Sequence, residues 1–139
     1  MKLVAYLSFP GNTEEVLNFY KDLFGGEITY LQRYEDAPPD MKVSEGYKKK
    51  ILHAQLDFGD NTMYFSDMFE GMPMEPGGNI GLNINFDDPG QLEEVYNRLK
   101  DKGTVTMELQ DTFWNAKFAS LTDQFGTGWS LNYSKPQDQ

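Results

Sequence analysis

The chain repeats itself. Residues 14–22 read EEVLNFYKD and residues 93–101 read EEVYNRLKD. Downstream, Gly26-Glu27-Ile28-Thr29 is answered by Gly103-Thr104-Val105-Thr106, and HAQLDFG at 53–59 by FASLTDQFG at 118–126. Two copies of one supersecondary unit in the same order imply two modules built alike. With only two copies, the pattern is a duplication and not a solenoid.

Each copy can be read by periodicity. Leu3, Ala5, Leu7 and Phe9 alternate with Val4, Tyr6 and Ser8, the period-two pattern of a strand that stops at Pro10-Gly11. Asn12 or Thr13 can cap the following helix, with Glu14 and Glu15 in its first turn. Val16, Phe19, Tyr20 and Leu23 form its apolar stripe, and Gly25-Gly26 stops it. Strands follow over 27–34, 51–58 and 62–66, with residues 35–49 as a long loop and Gly59-Asp60-Asn61 as a hairpin turn. The second copy is expected as a strand over 79–86, a helix starting near Asp88-Pro89, and strands near 104–110, 117–122 and 128–133. The result is an α+β fold with βαβββ twice: one 1–139 domain made of modules 1–67 and 79–134, joined by the Met-, Pro- and Gly-rich segment 68–78. Each helix covers one sheet face, and the other faces curl around a cavity.

Bulk properties narrow the function. The 139 residues suit one domain and suffice for a core without staples. There is no cysteine, so thiolate chemistry and disulfides are excluded. The formal net charge is −10, a field that repels phosphate backbones, so nucleic acid is not an expected partner. The basic run Lys48-Lys49-Lys50 reads as a solvated loop. No stretch approaches the roughly 20 apolar residues that span a bilayer, and no signal peptide is evident, so a cytoplasmic protein without membrane association is expected.

Candidate site residues follow from strand alternation. With Leu52, Ala54 and Leu56 toward the helices, His53 and Gln55 face the cavity. With Ile80, Leu82 and Ile84 toward the helices, Asn79, Gly81 and Asn83 face it. Tyr6, Ser8, Ser120, Ser130 and Asn132 join them. Amides, hydroxyls, one imidazole and one phenol orient a mildly polar organic molecule better than a hard cation. His53 is the only histidine. It is either a general base or a half-buried ring bonded to Tyr or Asn, and no nucleophile is evident for it to activate. Phe113-Trp114 can cap an apolar ligand, plug the core or serve an interface. Asp67 can accept a bond from a ligand or cap a turn. Met68, Met72 and Met74 suit a lid or subunit contact.

The set YLSFPGNTEEVLNFYKDLFGGEI, ILHAQL, SDM, EPGGNIGLNI, LQDTFWNAKF and LTDQFGTGWSLNY resembles the PhnB-like branch of the vicinal oxygen chelate superfamily, which includes glyoxalase I and bleomycin-resistance proteins. The resemblance covers nearly the whole chain. It implies paired βαβββ modules, a small-molecule site and a homodimer. Metal enzymes of that superfamily place His and Glu on four cavity-facing strands. The matching positions here are Ala5 or Tyr6, Phe65 or Ser66, Asn79, and Ser130 or Asn132, none of them a good ligand. Neither a metal nor another cofactor is therefore expected. Some relatives bear a methyltransferase label, but the chain lacks the Gly-rich strand-to-helix turn expected of a methyl-donor site. The leading expectation is a protein that binds a small organic molecule over Tyr6, His53, Gln55, Asp67, Asn79, Phe113, Trp114 and Asn132. Two alternatives stand beside it: a metal-independent lyase or isomerase with His53 in proton transfer, and a dimeric sequestering protein.

Overall fold

The computed structural model describes residues 2–38, 41–72, 80–112 and 115–136. Two compact units divide the chain, Met1–Glu75 and Pro76–Gln139. In the first, β1 (Ala5–Phe9) leads into α1 (Thr13–Phe24), then β2 (Glu27–Arg33), β3 (Ile51–Phe58) and β4 (Asn61–Asp67). In the second, β5 (Leu82–Asn85) leads into α2 (Pro89–Lys100), then β6 (Thr104–Asp111), β7 (Ala116–Thr122) and β8 (Gly128–Ser134). The order is βαβββ twice, as the repeat implies.

The two sheets share one topology. Their strand orders are β1-β4-β3-β2 and β5-β8-β7-β6. In each, the first strand pairs parallel to the last, and the remaining pairs are antiparallel. A parallel pair needs a crossover, and here the crossover carries the helix. Helix α1 packs on β3 and β4, and α2 on β6, β7 and β8.

The first core is filled from both layers. Val16, Leu17 and Tyr20 of α1 are fully buried against Ala54, Leu56 and Phe65 of the sheet. Leu17 belongs to the buried stripe, and Phe19, expected there, is half-buried. In the second unit Leu92, Val95, Tyr96 and Leu99 meet Ala119, Leu121, Trp129 and Leu131. Each large side chain contributes about 1.5–3 kcal/mol by leaving water.

The helices start differently. Helix α2 is capped locally: the Asp88 carboxylate accepts from Gly90 N–H at 3.1 Å, and Pro89 occupies the first turn. At α1, Asn12 makes no side-chain cap bond. Asp67, at the end of β4, instead accepts from Thr13 N–H at 3.0 Å, and Thr13 Oγ1 donates to the Ser66 carbonyl at 3.0 Å.

The 35–49 segment is not a plain loop. It holds 3-10 turns at Tyr34–Asp36 and Glu45–Tyr47. Tyr34 Oη donates to the Asp67 carbonyl at 2.9 Å, Tyr47 Oη to the Met68 carbonyl, and Ser44 Oγ to Glu70. The segment is thereby fastened to the chain leaving β4. At the start of β3 the pairing slips: Gln32 opposes His53, but Arg33 opposes Ile51. This bulge breaks the expected alternation. Ile51 is fully buried, and Leu52 is only half-buried. Strand β5 begins at Leu82, with Ile80 and Gly81 outside it; a start at Asn79 falls outside the described residues.

Candidate functional site

Sheet register decides which side chains share a face, because directly paired residues point the same way. In the first unit Tyr6 pairs with Tyr64, Ser8 with Ser66, Gln55 with Tyr64, Asp57 with Thr62, Tyr30 with Gln55, and Gln32 with His53. All lie opposite the helix-covered set of Ala54, Leu56 and Phe65. The expected side for Tyr6, His53 and Gln55 is therefore the one observed. Of the paired possibilities for metal-ligand positions, Tyr6 and Ser66 stand on this open face, and Phe65 is buried under the helix.

His53 sits inside a cluster of phenols. Its Nδ1 lies 2.9 Å from Tyr6 Oη. Ring centroids of Tyr64, Tyr6 and Tyr30 stand 5.1, 5.5 and 5.7 Å from the imidazole. Tyr6 and Tyr30 remain about half exposed, at 52% and 48%. Gln55 is held down the same row: its Nε2 donates to Asp57 at 3.2 and 3.3 Å. Hydrogen bonds from Thr62 and Gln55 hold the Asp57 carboxyl below the usual carboxylate range.

Beside this cluster is a cavity of about 380 Å³. Tyr6, Ser8, Leu52 and Ser66 form its sheet wall, and Tyr34, Met68, Phe69 and Met72 its outer wall. Asp67 reaches its edge but is 1% exposed, and both carboxylate oxygens are taken, by Thr13 N–H and by Ile51 N–H at 2.7 Å. Ser66 Oγ donates to the Leu52 carbonyl at 2.8 Å. Burial, with the negative charge of Asp67, raises the Tyr34 phenol and pushes Tyr47 up to about 12.

The open face of the second unit is different in kind. Asn83 Nδ2 donates to Asn85 Oδ1 at 3.1 Å, and Asn132 Nδ2 approaches Asn85 Oδ1 and Ser134 Oγ at 3.4 Å each. Thr106 Oγ1 and Ser120 Oγ lie 2.7 Å apart. Asn132 is thus in an amide and hydroxyl ladder. Asn79, Phe113 and Trp114 lie outside the described residues.

With this geometry in place, the chain can be set beside known proteins. The family model of the Glyoxalase/Bleomycin resistance protein/Dioxygenase superfamily matches residues 2–131. The chain belongs to that superfamily. Within it, Protein YjdN of Escherichia coli K12 is 29% identical over 99% of this chain and 98% of its own length. The crystal structure of PA1353 from Pseudomonas aeruginosa is 32% identical, with a TM-score of 0.87 over 98% of this chain and 99% of that one. A PhnB protein from Bacillus cereus is 25% identical, with a TM-score of 0.78 over 96% and 100%. These relatives place the chain in the PhnB-like branch.

Metal enzymes of this superfamily raise the question of a metal here. The donor set on the open face of the first unit does not fit one. It offers hydroxyls and phenols from Tyr6, Ser8, Tyr64 and Ser66, one carboxylate, Asp57, already accepting from Gln55 and Thr62, and a single imidazole whose Nδ1 already faces Tyr6. Among the described residues no three His, Cys, Asp or Glu side chains converge. Transition metals of the usual kinds need several imidazoles, thiolates or carboxylates.

Residue types that alternation alone undervalued are Tyr30 and Tyr64. Each shares a face with His53 by register, and their signal was the strand partner rather than the local pattern. Leu52, Tyr34 and Phe69 were missed for another reason: the bulge and the fastened 34–50 segment put them at the cavity.

Proposed function

We propose that the chain binds a small organic molecule in the 380 Å³ cavity of its first unit without a metal, acting in the cytoplasm as a homodimer. The carrying observation is that cavity's position beside an imidazole ringed by three phenols. Its volume lies in the range of ligand pockets, and its lining mixes apolar walls with a few hydroxyls. Met68 and Met72 supply an adaptable wall. Membership of the superfamily supports the same reading. We take residues 1–139 as one domain of two modules, the second of which offers the amide ladder around Asn132, with Asn79, Phe113 and Trp114, as binding groups of its own.

The test is a thermal-shift screen of metabolites and divalent metals, with native mass spectrometry for a copurified ligand. A ligand that binds only the folded chain raises its midpoint. Replacing Tyr6 with Leu should weaken a screened ligand by about 1–3 kcal/mol, the usual cost of a buried contact. Normal binding by that variant, or a stoichiometric metal lost on mutating cavity residues, would refute the proposal.

A second reading rests on the 2.9 Å Tyr6–His53 contact. An imidazole coupled to a phenol can move a proton without a metal, as a lyase or isomerase requires. His53→Ala would then abolish turnover of a bound substrate while binding persists. Equal loss of both would leave His53 as a binding group alone.

A further inference from the structure

Resting on the binding site just proposed, the charge pattern of that face carries a statement about ligand class. We propose that the cavity selects an organic cation: a protonated amine or quaternary ammonium joined to an apolar body.

Three features point there. First, among the described residues no Lys or Arg lines the cavity. Of the five basic groups in the neighbouring 33–50 segment, Lys42 is exposed and outside the cavity lining, and the other four are engaged elsewhere. Arg33 pairs with Glu14 at 2.7 Å, Lys48 with Glu45 at 2.6 Å and Lys49 with Glu35 at 2.9 Å, and Lys50 Nζ donates to the Gly11 carbonyl at 2.7 Å. Lys2 acts on Asp57, away from the cavity. An anion entering would meet no compensating charge.

Second, the negative groups on this side are not neutralised by a cation lining the cavity. Asp67 at its edge is satisfied by backbone N–H groups, and its charge is felt by the Tyr34 and Tyr47 phenols that flank the outer wall. The chain as a whole carries −10, so approach of a cation is favoured at long range as well.

Third, the surface is built of π-faces. Tyr6, about half exposed, both lines the cavity and contacts His53; Tyr30 leaves a comparable area open, and Phe69 on the outer wall is 56% exposed. Aromatic faces attract ammonium groups through the ring quadrupole, and quaternary ammonium is the ligand they recognise best without a formal counter-ion. Leu52, Met68 and Met72 would hold the apolar body.

The experiment compares three probes of one shape on the intact protein by titration calorimetry: benzyltrimethylammonium, its uncharged carbon isostere neopentylbenzene, and benzylphosphonate. The expected result is that the cation binds at least tenfold tighter than the isostere, weakens as salt rises, and that the phosphonate shows no binding at millimolar concentration. Tyr6→Phe should keep that preference, because it keeps the ring. Tyr6→Leu should lose it by fivefold or more, with the thermal midpoint showing whether the fold survives; Phe69→Leu, at the other exposed ring of the lining, is the second variant if it does not. Equal or tighter binding of the isostere, or preference for the phosphonate, overturns the cation assignment and leaves the binding site standing. Failure of all three probes overturns both.

Discussion

At the scale of single residues, Asp67 is the most consequential side chain of the first unit. It joins the start of α1 to the start of β3 from the end of β4. Removing it leaves two backbone N–H groups buried without acceptors. Asp67→Ala should therefore cost about 2–6 kcal/mol, given about 1–3 for each unsatisfied group, read as a lower urea midpoint. Tyr47 carries a pH signature. Its phenol is held at about 12 in the folded chain, against an ordinary value near 10, because burial disfavours the phenolate. A raised acid of this kind stabilises fully below pH 10 and loses that contribution as pH climbs from 10 through 12. Urea melts across that window should show stability falling with pH, and Tyr47→Phe should make the fall shallower. An unchanged slope in the variant would assign the effect to other groups.

At the scale of elements, the repeated glycine that follows each helix has one physical cause in both copies. A Cβ on Gly26 would lie 2.8 Å from the Asp57 carbonyl oxygen. A Cβ on Gly103 would lie 2.5 Å from the Leu99 carbonyl and 2.8 Å from the Thr122 carbonyl. In each unit the helix turns into its next strand against the backbone of the hairpin's first strand, and no side chain fits. Gly26→Ala and Gly103→Ala should each destabilise by about 1–3 kcal/mol, as overpacking does. Gly46→Ala, with open space around it, should stay within about 0.5 kcal/mol. Thermal melts of the three variants decide this. Elements with strong local signals were legible in the sequence. Strand β3 at 51–58 and both helices were readable from local signals: alternation from His53 onward, the apolar stripe and Gly25 stop of α1, and the Asp88-Pro89 start of α2. The side of the sheet carrying Tyr6, His53 and Gln55 was readable for the same reason. What was not readable depends on partners distant in sequence. The bulge at Leu52 obeys its pairing with β2, and Tyr34 and Tyr47 become tethers only once β4 has brought Asp67 and Met68 beside them. Asp67 looked like a turn cap or a ligand group; what it caps is a helix 54 residues earlier.

At the scale of the whole molecule, each sheet ends in outer strands. Strand β2 carries Tyr30 and Leu31, 48% and 36% exposed, and β6 carries Met107, 43% exposed. Unpaired edges with apolar side chains favour association, and symmetric pairing of identical chains is the commonest outcome. Light scattering at micromolar concentration should give about twice the 15.9 kDa chain mass. A monomer would remove the homodimer from the proposal. None of the described helices is long and apolar enough to cross a membrane.

The two helix starts imply two timetables. Helix α2 carries its cap two residues away, in Asp88, and can begin as soon as that stretch emerges. Helix α1 waits for Asp67, so its first turn is completed only after a loop of 54 residues has closed and β4 has docked. Although the copies share a sequence pattern, they need not share a folding history: a nucleus can form early around α2, while the first turn of α1 is finished late. In stopped-flow measurements, Asp67→Ala should speed unfolding and leave the refolding rate nearly unchanged, whereas Asp88→Ala should slow refolding.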